Sequence, residues 1–128
     1  MQILFDTHAL LWFLTDSPNL PQDLKNRLTG TDVRLFFSSV SILEIAIKHS
    51  LKPLAMPCVP EEVRATAEAS GISELVFASS HAQLVGTLPW IHRDPFDRML
   101  IAQAMAEHMQ LLSHDDTVMQ YGEVILPF

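Results

Sequence analysis

Four short apolar runs, residues 2–5, 35–37, 109–113 and 124–126, constrain this chain most, because none is long enough for a helix. A strand buried on both faces reads as such a run, without the apolar-polar alternation of a half-exposed one. The first run ends at Asp6 and gives way to residues 8–14, apolar nearly all round, which predict a buried helix ending near Asp16-Ser17-Pro18. Leu24 and Leu28 then predict an amphipathic helix from Pro21 that is stopped by Gly30. The second run leads into Ser38, Ser39 and Ser41, candidate caps for a helix through residues 42–48. After a proline-containing loop over residues 51–60, Pro60-Glu61-Glu62 opens a helix running to Ser70-Gly71. Leu75-Val76-Phe77 reads as a third strand and residues 79–86 as a short helix. The strongest helix start is Asp94-Pro95, a cap followed by the residue favoured at the first helical position, with Phe96, Leu100 and Ala104 along one stripe. Strands alternating with helices in this way predict an α/β fold whose mostly parallel sheet is covered by helices on both faces.

A length of 128 residues, 48% of them hydrophobic and 18% charged, suits one domain over residues 1–128 with a core of its own. The net charge of −7 excludes a protein that holds nucleic acid by a basic surface throughout. A single cysteine, Cys58, excludes an internal disulfide and a cysteine zinc cluster, and fits a reducing compartment. The opening residues lack a basic n-region and carry Asp6 and His8 inside their apolar run, so no signal peptide is expected. No uncharged apolar run reaches the roughly 18 residues of a membrane span, and the expected location is the cytoplasm.

In an open α/β sheet, ligands gather beyond the carboxyl ends of the strands. Asp6, Glu44, Asp97 and Asp115 all fall at strand ends or on the helices that follow, distant in sequence and able to converge in space. Clustered carboxylates need a cation or protons at neutral pH, and hard oxygen donors without cysteine point to Mg²⁺ or Mn²⁺. Each acid also has a purely structural reading. Asp6 can cap the following helix, Glu44 can close a capping box with Ser41, Asp94 reads as an N-cap, and Asp97 suits the positive end of a helix dipole. One of Asp115 and Asp116 can cap the segment leading to Tyr121. Asp6-Thr7-His8 matches the Asp-x-His of some metallophosphoesterases, but their further histidine and asparagine motifs are missing. His92 and His114 flank the acids. Neither a glycine-rich phosphate loop nor a Gly-x-Ser-x-Gly elbow is present.

Taken in order, four blocks carry a resemblance: Phe5-Asp6-Thr7-His8-Ala9-Leu10-Leu11-Trp12, Ser39-x-Ser41-x-x-Glu44-Ile45-Ala46, His92-Arg93-Asp94-Pro95-Phe96-Asp97-Arg98-Met99-Leu100, and Leu111-Leu112-Ser113-His114-Asp115. From residue 3 to about residue 126 the chain resembles the PIN-domain ribonucleases of VapC-type toxin–antitoxin systems. The resemblance implies a PIN-like three-layer α/β/α sandwich, a Mg²⁺ or Mn²⁺ site, endoribonuclease activity, a homodimer and a cognate VapB-like antitoxin. Carried over by motif, Asp6, Glu44 and Asp97 are the first three acids and Asp115 the more variable fourth, with Thr7 and Ser39 as supporting hydroxyls. Ser113 stands where the family often has threonine. Asp115-Asp116 offers two residues for the fourth place, of which Asp115 fits the spacing better.

The expected chemistry is metal-assisted hydrolysis of an RNA phosphodiester. Asp6, Asp97 and Asp115 would hold metal, and Glu44 would ligate it or orient the attacking water. Lys48, Arg93 and Arg98 are candidates to offset phosphate charge, and single-stranded loops are the expected target because their bases can be splayed into a site. Trp12, Phe13, Trp90 and Ile91 read either as core or as a surface for the antitoxin or a second subunit. Dehalogenase-like and receiver-like phosphoryl transfer both want acid patterns that Asp6-Thr7-His8 lacks. The non-enzyme rival is an inert PIN-like binding module, which the loss of an acid would mark, and all four acids are present.

Overall fold

The computed structural model describes residues 1–128. Five strands are formed: β1 (Gln2–Phe5), β2 (Arg34–Ser38), β3 (Ser73–Leu75), β4 (Gln110–Ser113) and β5 (Ile125–Pro127). They alternate with seven helices: α1 (Thr7–Leu14), α2 (Gln22–Leu28), α3 (Ser39–Leu51), α4 (Pro60–Ala69), α5 (Ser79–Val85), α6 (Pro95–Ala106) and α7 (Asp116–Met119). Every pairing is parallel and the spatial order is β3-β2-β1-β4-β5. Leu4 at the centre of β1 lies opposite Phe36 of β2 and Leu111 of β4.

Alternation along β1 explains why both faces must be covered. Ile3 and Phe5 point into a core shared with Leu10, Leu24, Leu28, Ile45 and Val63, which come from α1 to α4. Leu4 points the other way, toward Leu100, Ile101 and Ala104 of α6 and Val118 of α7. The α/β/α sandwich is therefore written into β1 as an unbroken apolar run. No helix is long and apolar enough to cross a membrane.

Three details depart from the sequence reading. The third strand lies two residues upstream of the expected 75–77, because Phe36 to Ser38 pair with Ser73 to Leu75. Val76 is exposed, and the Phe77 amide turns to the Ser39 hydroxyl instead of the sheet. Helix α2 ends at Thr29, whose hydroxyl bonds the carbonyls of Lys25 and Asn26, and not in a glycine stop at Gly30. Gly71, between α4 and β3, does take a left-handed conformation, φ +81°, and there the Ile72 amide returns to the Ala67 carbonyl. Residues 8–14 form the expected helix, but Leu11 to Leu14 are only half-buried.

Arg98 is a further correction. It is 1% exposed and donates to the carbonyls of Val85, Leu88, Pro89 and His92 and to the Tyr121 hydroxyl, with the Trp90 ring 3.9 Å from its guanidinium. It ties the 85–92 turn to α6 and is not free to meet a phosphate.

Candidate active site

The strand order reverses direction at β1, whose neighbours are β2 on one side and β4 on the other, so a crevice opens beyond their carboxyl ends. Asp6 stands there, still bonded to the sheet through its amide to the Leu112 carbonyl, 3.0 Å. Its Oδ1 accepts the Ala9 amide at 2.7 Å and so caps α1. Capping and a place in the acidic group are compatible, since a carboxylate has a second oxygen. Burial raises the Asp6 carboxyl above its usual range, against the Ser113 hydroxyl and the Ala9 amide, and the Glu44 charge adds to the rise.

Glu44 is not the closing residue of a capping box. Ser38 caps α3, its hydroxyl accepting the Val40 amide at 3.0 Å, and Ser41 lies inside the helix. Glu44 is consequently turned inward and buried, with Oε1 accepting the Thr7 hydroxyl at 2.7 Å. Thr7 has one hydroxyl proton and gives it to Glu44, so the 2.9 Å bond to Ser41 runs from the Ser41 hydroxyl to Thr7 Oγ1. The other Glu44 oxygen, Oε2, accepts from the Lys48 ammonium one turn along α3. That bond makes Lys48 more basic than an ordinary lysine, and the charges of Asp94 and Asp97 reinforce the effect.

Asp97 lies in the first turn of α6, where Pro95 occupies the first helical position and Asp94 Oδ1 accepts the Phe96 amide at 2.8 Å and the Asp97 amide at 3.3 Å. His92 Nε2 lies 2.7 Å from Asp97 Oδ2. Burial pushes the Asp97 carboxyl up to about 6; Asp94 and Asp6 add to the rise, and the His92 bond opposes it. One potential ligand atom each from His92, Asp94 and Asp97 lie within 4.8 Å of one another. Mutual charge effects link Asp6 to Glu44 and Asp97, and Lys48 to Glu44, Asp94 and Asp97, so these side chains form one electrostatic group.

The remaining sequence candidates lie at its margin or elsewhere. Asp115 is exposed and caps α7, its Oδ1 accepting the Thr117 and Val118 amides at 2.8 and 3.0 Å. Its amide bonds the Ser113 hydroxyl at 3.2 Å, which tethers it to the β4 end beside Asp6. Asp116 is exposed in the first turn of α7. The Ser39 hydroxyl accepts the Phe77 amide at 2.9 Å and serves the β3 exit; the hydroxyls beside the acids belong to Thr7, Ser41 and Ser113. Arg93, His8 and His114 are exposed. The sequence reading missed His92 and Asp94 as members of the group. The spacing His92-x-Asp94-x-x-Asp97 around a helix-starting proline was the available signal, since a cap and the first turn bring those positions together.

The donor set fits a divalent cation of the Mg²⁺ or Mn²⁺ kind: hard carboxylate oxygens with one imidazole and no thiolate. The raised carboxyls of Asp6 and Asp97 reflect burial and crowding of like charge, which such a cation would relieve.

Residues 3–123 match the PIN domain family. No curated protein matches the sequence significantly. Among solved structures, the VapBC2 complex of Rickettsia felis bound to a DNA fragment from its promoter is similar, with a TM-score of 0.70 at 14% identity over 100% of this chain and 98% of that one. The DNA-bound VapBC of Salmonella typhimurium gives 0.66 at 18% identity over 100% and 97% of the two chains. A toxin-antitoxin complex from Klebsiella pneumoniae gives 0.64 at 15% identity over 97% and 95%.

Proposed function

Since the chain belongs to the PIN domain family, we propose that it is a metal-dependent endoribonuclease acting as the toxin of a VapC-type toxin–antitoxin pair. The observation that carries this reading is the meeting of acids from three separate places in the fold, Asp6 after β1, Glu44 on α3, and Asp94 and Asp97 at the cap and first turn of α6, with Lys48 among them. A merely structural carboxylate needs one partner, whereas a group of four acids, two of which (Asp6 and Asp97) have raised carboxyls, is suited to a cation and a phosphate. The reading takes residues 1–128 as one domain, in the cytoplasm, as a homodimer with a VapB-like antitoxin. The similar structures, two of them described as VapBC and one as a toxin-antitoxin complex, support such a partner. The exposed Leu43, Ile47, Leu51 and Trp90 offer it apolar surface.

Asp6, Asp94 and Asp97 would hold Mg²⁺ or Mn²⁺, with Asp115 in the fourth place. When bound, the cation supplies activation of water and neutralisation of charge at the phosphate. Glu44, fixed by Thr7 and Lys48, orients the attacking water through its carboxylate. Lys48 keeps two further N–H donors for a phosphate oxygen. His92 holds Asp97 in orientation through Nε2.

The test is cleavage of a panel of transfer and ribosomal RNAs by the purified chain with Mg²⁺, Mn²⁺ or chelator, beside Asp6→Asn. Discrete fragments that need metal, and that the variant makes at least about 100-fold more slowly, are expected from loss of a charged ligand. Absence of cutting in a protein shown to bind metal would transfer the reading to an inert PIN-like binding module.

A further inference from the structure

We propose that single-stranded RNA runs along a groove built from His8, Lys48, Lys52 and the ring of Trp12, so that the strand beside the cleaved bond lies between α1 and the end of α3. The proposal rests on the nuclease reading and specifies how the substrate is held. A cavity of about 380 Å³ lies there, with Leu51, Ala55 and Met56 forming its apolar wall and His8, Lys48 and Lys52 its polar one. Two of the chain's three lysines thus line one cavity of a protein whose net charge is −7. Lys48 is shared with the acidic group through Glu44, so the cavity begins where that group ends. Lys52 is exposed and makes no ion pair, which leaves its ammonium for a phosphate.

A chain of rings starts at the His8 end of the cavity and runs outside its lining, with Phe128 packed against the far two, Trp12 and His114. His8 is exposed two residues after Asp6, and its ring centroid lies 6.0 Å from that of Trp12. Trp12 lies 6.1 Å from His114, which directly follows β4 and precedes Asp115. An apolar wall, a row of rings and two ammonium groups match what a single strand offers, bases with π-faces on a charged backbone. The charge selects the occupant. Near a cluster of acids, a polyanion needs local cations to approach, and Arg98 is sequestered against backbone carbonyls.

The experiment measures binding of a short fluorescein-labelled single-stranded RNA to the full chain carrying Asp6→Asn, so that the probe stays intact. Adding Lys52→Gln is expected to flatten the slope of log affinity against log salt by about 0.7, so that its defect is about threefold larger at about 50 mM than at about 200 mM salt. Adding His8→Ala is expected to weaken binding about fivefold. In a Trp90→Phe background the probe should quench Trp12 fluorescence. Arg27→Gln, at the amino end of the sheet beside Met1 and Asp32, removes the same charge and should leave binding unchanged. If Lys52→Gln and His8→Ala bind as the parent does while the unsubstituted chain cuts RNA, the groove is wrong and the nuclease stands. If the parent neither binds nor the unsubstituted chain cuts, the nuclease reading falls and takes the groove with it. If Lys52→Gln alters sedimentation of the chain but not RNA binding, the face is an interface between copies and the proposal is overturned.

Discussion

Replacing Asp97 with asparagine should stabilise the metal-free protein, which is the reverse of the usual outcome for a buried polar substitution. Asparagine keeps the side-chain shape and an oxygen that can accept from His92 Nε2, but removes the charge that burial and the neighbouring acids disfavour. The carboxyl moves from 3.8 to about 6, and at about 1.4 kcal/mol per pH unit its ionised form costs the fold about 3 kcal/mol. The folded state binds the Asp97 proton more tightly than the unfolded chain, so wild-type stability from this group is present below 3.8 and is lost as pH rises through about 6. The advantage of Asp97→Asn is therefore about 3 kcal/mol at about pH 7.5 and shrinks to roughly half of that at about pH 5, where the wild type is already mostly protonated. Urea unfolding of both proteins in chelator at the two pH values measures this difference, and contributions from unaffected acids cancel. Saturating Mg²⁺ should reverse the order, since it stabilises the protein that can ligate it. A variant less stable than wild type in chelator at the higher pH, or a difference that does not change with pH, would refute the argument that Asp97 is held at an electrostatic cost.

Arg98→Lys should lower stability by about 3 kcal/mol in urea unfolding, because an ammonium cannot serve the carbonyls of Val85, Leu88, Pro89 and His92 that the guanidinium spans; an unchanged midpoint would dismiss its bracing role. Thr7→Val leaves one Glu44 oxygen and the Ser41 hydroxyl without a partner, and should cost about 1 to 2 kcal/mol of stability and slow RNA cleavage about tenfold. Asp115→Ala should lose about 1 kcal/mol from the α7 cap and also slow metal-dependent cleavage, whereas Asp116→Ala should retain it. Equal cleavage by Asp115→Ala and wild type would leave Asp115 a cap alone.

Legibility in the sequence followed how local each signal was. Asp94-Pro95 announced α6 because a cap bond and a proline ring act within one turn, and both are formed as expected. The same locality misled at Glu44. Ser41 and Glu44 have capping-box spacing, but Ser38 starts the helix three residues earlier, and that start is favoured by its pairing with β3 and by Gln103 on α6. Arg98 looked available to phosphate because its acceptors are backbone carbonyls, which leave no trace in residue identity. The third strand was displaced because edge position, with partners on one side only, weakens the apolar signal and lets Val76 remain exposed.

The sequence by itself determined the α/β alternation, the two-sided burial of the central strands and the presence of acids at the carboxyl ends, since periodicity and caps depend on near neighbours. The motif resemblance carried the family. Only the tertiary structure decided which acids share a field. Asp6, Glu44, Asp94 and Asp97 meet because parallel pairing of β1 with β2 and β4 brings their carboxyl ends to one edge, and α6 delivers its first turn to the same place. Burial, charge and hydrogen bonding there depend on distances across the fold, which no local run of residues encodes.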